Sequence, residues 1–244
     1  MVEVQCIEFT DNPEELVCTC ARNDYYNGNV TEDSLETVME GTDGDTIQEK
    51  KYTLLKKLML RGHWGPFEHP QFTLHFRVSR SCMAQITRHR HISFDIQSMR
   101  YVDFSDKDGA SREDFRWPDA FVEDSVQARE GGLMNIDMSQ EQREAAIKAH
   151  YEACVLLYED LVESGVPKEK ARMVLPIGTK VNITASMNVR TAFHILHMRG
   201  AGDAQSEIRD LSQGIERVLE ENMPTVMDVW NENQQAIQRQ RLNP

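Results

Sequence analysis

A chain of 244 residues, 40% hydrophobic and 27% charged, has the composition of an ordinary globular protein with a sizeable core. Its 40 Asp and Glu against 27 Lys and Arg give a formal net charge of -13, which opposes non-specific binding to nucleic acid or to an anionic membrane. No apolar run reaches membrane-spanning length, the N-terminus lacks a basic-then-apolar signal, and five scattered cysteines argue against a disulfide framework, so a cytoplasmic protein is expected.

The elements follow in chain order. Cys6 falls in an apolar N-terminal strand. Asn12-Pro13-Glu14-Glu15 reads as a cap, a first-turn Pro and an acidic first turn, and so predicts a helix start. Residues 22–44 are polar and acidic, with Asn27-Gly28 as a turn signal. A second helix is expected from near Asp45, burying Ile47, Leu54, Leu55, Leu58 and Met59, until Gly62-His63-Trp64-Gly65-Pro66 breaks it. Phe72, Leu74, Phe76 and Val78 alternate with Thr73, His75 and Arg77, the period of a half-buried strand. A short helix over Met83 to Thr87 then delivers a basic loop.

From Tyr101 to Asp137 the chain is polar, and an excursion or lid is expected. Ser139 with Gln142 forms a capping-box pattern opening a long helix whose buried stripe is Ile147, Tyr151, Cys154, Tyr158, Leu161 and Val162; Gly165 ends it. Pro167 starts a short helix that stops before Pro176. Val181, Ile183 and Ala185 mark a strand, Thr191 to Arg199 a helix, and Ile208, Leu211, Ile215 and Leu219 another. The tail beyond Trp230 is polar and is expected to fray or to pack on a neighbour. Strands interspersed with helices, without a regular βαβ beat or a G-x-G-x-x-G, indicate an α+β fold.

The basic loop carries the chemistry. Arg88 to Tyr101 reads R-H-R-H-I-S-F-D-I-Q-S-M-R-Y. Concentrating that much positive charge in an acidic chain suits an anion: Arg forks pair bidentately with phosphate, and Ser hydroxyls donate adaptably. A second constellation runs from Ala171-Arg172-Met173-Val174-Leu175-Pro176 to Asn188-Val189-Arg190, then His194, His197 and Arg199; Arg190, His194 and His197 share one helical face. The pairs His63/His69, His89/His91 and His194/His197 lack the H-E-x-x-H spacing of a zinc site, and no metal is expected.

R-H-R, two residues, S, four residues, S-x-R-Y resembles the signature of the flavin-dependent thymidylate synthases, with Arg88, His89, Arg90, Ser93, Ser98, Arg100 and Tyr101 meeting every fixed position. The A-R-x-V-L-P, N-x-R and helix-ending Arg order is similar too, so that the likeness runs from about His63 to Glu207. It implies that family's fold, a central mostly antiparallel sheet flanked by helices, as a single domain over residues 1–244, assembled as a homotetramer with sites at subunit interfaces. It implies reductive methylation of deoxyuridylate (dUMP) to thymidylate (dTMP), with FAD as cofactor, NADPH as reductant and 5,10-methylenetetrahydrofolate as carbon donor.

Carried over by position, Arg88, His89 and Arg90 hold FAD, Arg88 also reaching the nucleotide. Gln85, Ser98 and Arg100 bind dUMP, helped by the backbone of Met99, and Arg172 binds it from another subunit. Asn188, Arg190 and His194 contact the flavin, His63 of the G-H-x-x-P-F-E-H segment lies near it, and Arg199 faces the uracil. Gly65 and Ile96 hold cofactor-contacting positions but depart from the family, which often has a hydroxyl residue and a Glu there. A homologue that has lost synthase activity is the alternative those departures leave open. Cys18, Cys20 and Cys154 fall on helical patterns and only Cys82 lies near the motif, so activation by Arg199 and flavin, not by a thiolate, is expected.

Overall fold

The computed structural model describes residues 2–102, 114–116 and 139–238. Its elements run β1 (Val4–Phe9), α1 (Pro13–Asn23), α2 (Leu35–Val38), α3 (Ile47–Arg61), β2 (Gln71–Ser79), α4 (Arg80–Ile86), β3 (Ile92–Ile96), α5 (Gln140–Glu163), α6 (Lys168–Ala171), β4 (Lys180–Asn188), α7 (Val189–Arg199), α8 (Ser206–Asn222) and α9 (Pro224–Gln238). The four strands form one sheet in the order β1-β2-β4-β3, with β1 antiparallel to β2. The α+β reading holds.

The chain divides into two compact units. The first comprises 1–76, 85–95 and 184–244. Its strands alternate because one face is buried: Phe72, Leu74 and Phe76 of β2 and Ala185 and Met187 of β4 point inward while their neighbours are half-exposed. A register shift between Cys6 and Glu8 bulges β1, four of whose six residues are exposed. Helix α8 lies against β1, and a Cβ on Gly214 would sit 2.2 Å from the Val4 side chain, so only glycine permits that approach. Trp64, Phe67, Phe193 and Trp230 make the aromatic heart, with Phe193 and Trp230 at 4.7 Å between ring centroids.

Local chemistry sets the helix ends. Thr46 and Glu49 cap α3 reciprocally, an arrangement whose removal costs about 1 kcal/mol, and Gly62 closes it in the left-handed region. Asn12 departs from expectation: it adopts φ 45° and its side chain caps nothing, although its carbonyl accepts the first helical bond from Leu16. Glu14 in the first turn of α1 is buried and accepts from the backbone N–H of Val226 at 3.1 Å, which satisfies a first-turn donor of α9.

The polar 22–44 stretch also contains α2, capped by Ser34. One further expectation is corrected here. As far as it is described, the tail beyond Trp230 is helical and not frayed: α9 continues to Gln238 against α3, Tyr52 bonds Glu232, Gln48 bonds Thr225, and Ile237 is fully buried.

The second unit comprises 77–84 and 96–183. Ser139 and Gln142 form the expected capping box on α5. Its buried stripe is Tyr151, Val155 and Tyr158, one position from the expected Cys154, because Phe115 packs on Tyr151 and Val155. Gly178 is pressed beneath the Tyr151 hydroxyl, which donates to the Arg116 carbonyl. Short α6 and a 3-10 turn over Arg172–Val174 end before Pro176, as expected. The anticipated 101–137 excursion falls almost wholly outside the described residues.

Candidate functional site

The motif is not one loop. α4 runs from Arg80, earlier than expected, and its last turn continues as Arg88 and His89 donate backbone N–H groups to Gln85 and Ile86. His91, at φ 62°, then reverses the chain, and Ile92–Ile96 pairs into the sheet as β3. This tight reversal points Arg88 and Arg90 to solvent and buries His89 at 8% exposure.

Helix α7 meets His89 from the other side. Arg199, its last residue, donates Nε–H to His89 Nε2 at 2.9 Å, and the His194 ring stands edge-on to His89 with centroids 5.4 Å apart. An acceptor Nε2 puts the imidazole proton on Nδ1. Burial first, then the charges of Arg199, His194 and Arg88, push the His89 pKa down to about 4. His89 is therefore neutral near pH 7, and its buried Nδ1–H has no partner among the described residues. Such a donor costs free energy until an acceptor reaches it.

The start of α7 is equally tied. Asn188 caps it by accepting from Thr191 N–H at 2.9 Å, and Val189 N–H binds the Pro70 carbonyl. Arg190 makes an ion pair with Glu68, so the N-x-R and G-H-x-x-P-F-E-H segments are joined by charge. Arg190, His194 and His197 are all half-buried, as one helical face requires. Gln85 donates to Gln205. His63 is exposed just beyond α3, and Gly65 opens a 3-10 turn where an added Cβ would meet nothing within 4 Å. Packing therefore does not demand glycine at 65.

In the second unit, Ser98 opens a turn: its carbonyl accepts from Tyr101 and its hydroxyl from Arg100 N–H. Met99 is buried, which fixes the backbone here, while Ile96 lies 37% exposed at the end of β3. Arg100 reaches the Glu169 carboxylate at 3.2 Å and lies over the Tyr101 ring, and Arg172 donates Nε–H to the Glu169 carbonyl at 3.2 Å. Two arginines thus gather on one acidic residue.

Sequence reasoning gave no role to Glu68, Gln205 or Glu169. Glu68 stood inside a quoted motif, so its charge beside so many cations was a usable signal; the other two partners had none. The cysteines offer no ready thiolate. Burial pushes Cys18 up to about 12 and also raises Cys6, Cys20 and Cys154, and Cys82 is fully buried. Among the described residues no three His, Cys, Asp or Glu side chains gather as a metal site, and no helix is long and apolar enough to cross a membrane.

The family described as "Thymidylate synthase complementing protein" matches residues 5–225. A protein of Haloarcula marismortui named flavin-dependent thymidylate synthase is 43% identical over the whole of both chains. One of the same name from Halobacterium salinarum is 46% identical, covering 87% of this chain and 88% of the relative. In fold, the chain is similar to a UMP/dUMP methylase, PolB, from Streptomyces cacaoi, solved with 5-Br dUMP: TM-score 0.72, 22% identity, 95% of each chain covered.

Proposed function

The chain belongs to the flavin-dependent thymidylate synthase family, and from that premise we propose that it converts dUMP, 5,10-methylenetetrahydrofolate, NADPH and a proton to dTMP, tetrahydrofolate and NADP, using FAD. The observation that carries this reading is the neutral His89 fixing Arg199 through Nε. With Nε engaged, the terminal N–H groups of the guanidinium are left to face the uracil ring and stabilise negative charge as ring carbon 5 becomes nucleophilic.

The residues suit the flavin dinucleotide. His89 Nδ1–H is a buried donor needing an acceptor, and the exposed Arg88 and Arg90 suit its phosphates. Asn188, Arg190, His194 and His63 complete the contacts, with Gly65 and Ile96 contributing backbone only. When bound, FAD supplies the hydride that a one-carbon unit at the formaldehyde level needs to become a methyl group. Gln85, Arg88, Ser98, Arg100 and the Met99 N–H bind dUMP, with Ser98 and Arg100 at the phosphate and Arg172 reaching it from another subunit. Raised thiol pKa values support a route without a cysteine nucleophile.

The whole chain acts as one functional domain. It assembles as a homotetramer, for which the exposed Leu156, Leu157, Met173 and Ile177 are the support, being costly to leave in water. Five free cysteines support a cytoplasmic location. The test is tritium release from dUMP labelled at ring carbon 5, with FAD, NADPH and methylenetetrahydrofolate. Release that requires FAD is expected; nucleotide-binding, FAD-loaded protein that releases none would be a homologue without synthase activity.

A further inference from the structure

Away from the motif, α1 and the last turns of α3 line an open cleft of about 200 Å³, room for one end of a ligand. Its floor is apolar (Ala21, Leu54, Leu58), and three cations, Arg22, Lys57 and Arg61, line it. Their compensation is incomplete. Arg22 donates to the neutral carbonyls of Val38 and Glu40, which orient the guanidinium without cancelling its charge. Lys57 pairs with Asp43 at 2.9 Å, both exposed. Arg61 has no hydrogen-bond or ion-pair partner among the described residues. Three cations against one carboxylate leave a local positive excess in a chain of net charge -13. Tyr25, 76% exposed at the rim, offers an aromatic face.

We propose that this cleft binds the anionic tail of a cosubstrate, the glutamyl carboxylates of the folate. The choice rests on the synthase reading above, because the cleft is also lined by His63, which that reading sets near the flavin. On that reading the reacting end of the cosubstrate lies at the flavin, and its tail passes His63 onto this basic surface. Apolar floor, aromatic rim and fixed cations match a flat ring joined to carboxylates. The 2′-phosphate of NADPH shares that chemistry and is separated by the test.

FAD-loaded protein is titrated calorimetrically with mono- and polyglutamylated tetrahydrofolate, and with NADP and NAD. Wild type is compared with Arg61→Gln and Lys57→Gln. Both heads are exposed enough to change without disturbing the fold, whereas Arg22 ties down the α2 segment. Polyglutamylated folate is expected to bind about fivefold more tightly than the monoglutamate, with each variant losing most of that gain while FAD content is unchanged. Weakening confined to NADP would assign the cleft to the dinucleotide phosphate and overturn the folate assignment. Equal binding of all four ligands by wild type and variants would overturn the site altogether. Tritium release is run on the same samples: its absence in wild type defeats the synthase reading, while the titrations still decide whether the cleft binds anions.

Discussion

The arginines of the His89–Arg199 group and those around Glu169 are held by opposite means. Arg199 is fixed by a neutral imidazole already stripped of water, so its charge is undiminished and its direction set by one 2.9 Å bond. Arg100 is held by a carboxylate in solvent, with 54% of its side chain exposed, so its charge is shared and screened. The first arrangement suits charge that develops during a reaction, where a preorganised group must not reorganise. The second suits a ligand that arrives already charged and can displace Glu169.

Removing Arg199 should therefore have the largest effect. Arg199→Ala is expected to lower the rate of tritium release by about 10²–10³-fold, in the range of losing one preorganised donor, with dUMP affinity changed much less. A single-turnover assay beside nucleotide titration checks it; equal losses in rate and affinity would make the guanidinium a ground-state binder.

The buried imidazole gives a pH signature. With a folded pKa near 4 against an ordinary 6.5, the unfolded chain binds the proton first as pH falls. Stability from this residue is full above about pH 6.5 and is lost as pH falls towards 4, by about 3 kcal/mol in total. Urea melts of wild type and His89→Gln between those limits should converge as pH drops. Parallel curves would mean His89 is not buried neutral.

The surface pair should yield least. Glu169→Gln leaves a similar shape but releases Arg100, so the KM for dUMP is expected to fall about two- to threefold at low salt, an effect abolished by high salt. A rise in KM at both ionic strengths would instead make Glu169 the residue that aims Arg100.

The sequence showed some of this and hid the rest for physical reasons. β2 and β4 were legible because Phe72 to Val78 and Val181 to Ala185 alternate against a buried face. β3 was not, because only alternate residues Ile92 and Phe94 are half-buried and charge dominates its surroundings. α9 looked like a frayed tail because its polar residues bond across 177 and 180 residues of chain, as in Gln48–Thr225 and Tyr52–Glu232, which no local pattern reveals. Arg88 to Arg100 announced itself as an anion site, but nothing in the spacing said that His89 turns inward while Arg88 and Arg90 turn outward. That depends on His91 adopting a positive φ.

The bulge in β1 matters for the life of the molecule in a crowded solution. β1 lies at the margin of the sheet, where an open row of backbone donors and acceptors could zip onto another chain. The register shift between Cys6 and Glu8 breaks that row, and the exposed Gln5 and Glu8 put polar and charged groups along it. On this side the sheet thereby ends at β1, an edge strand poorly shaped to serve as a template for another chain.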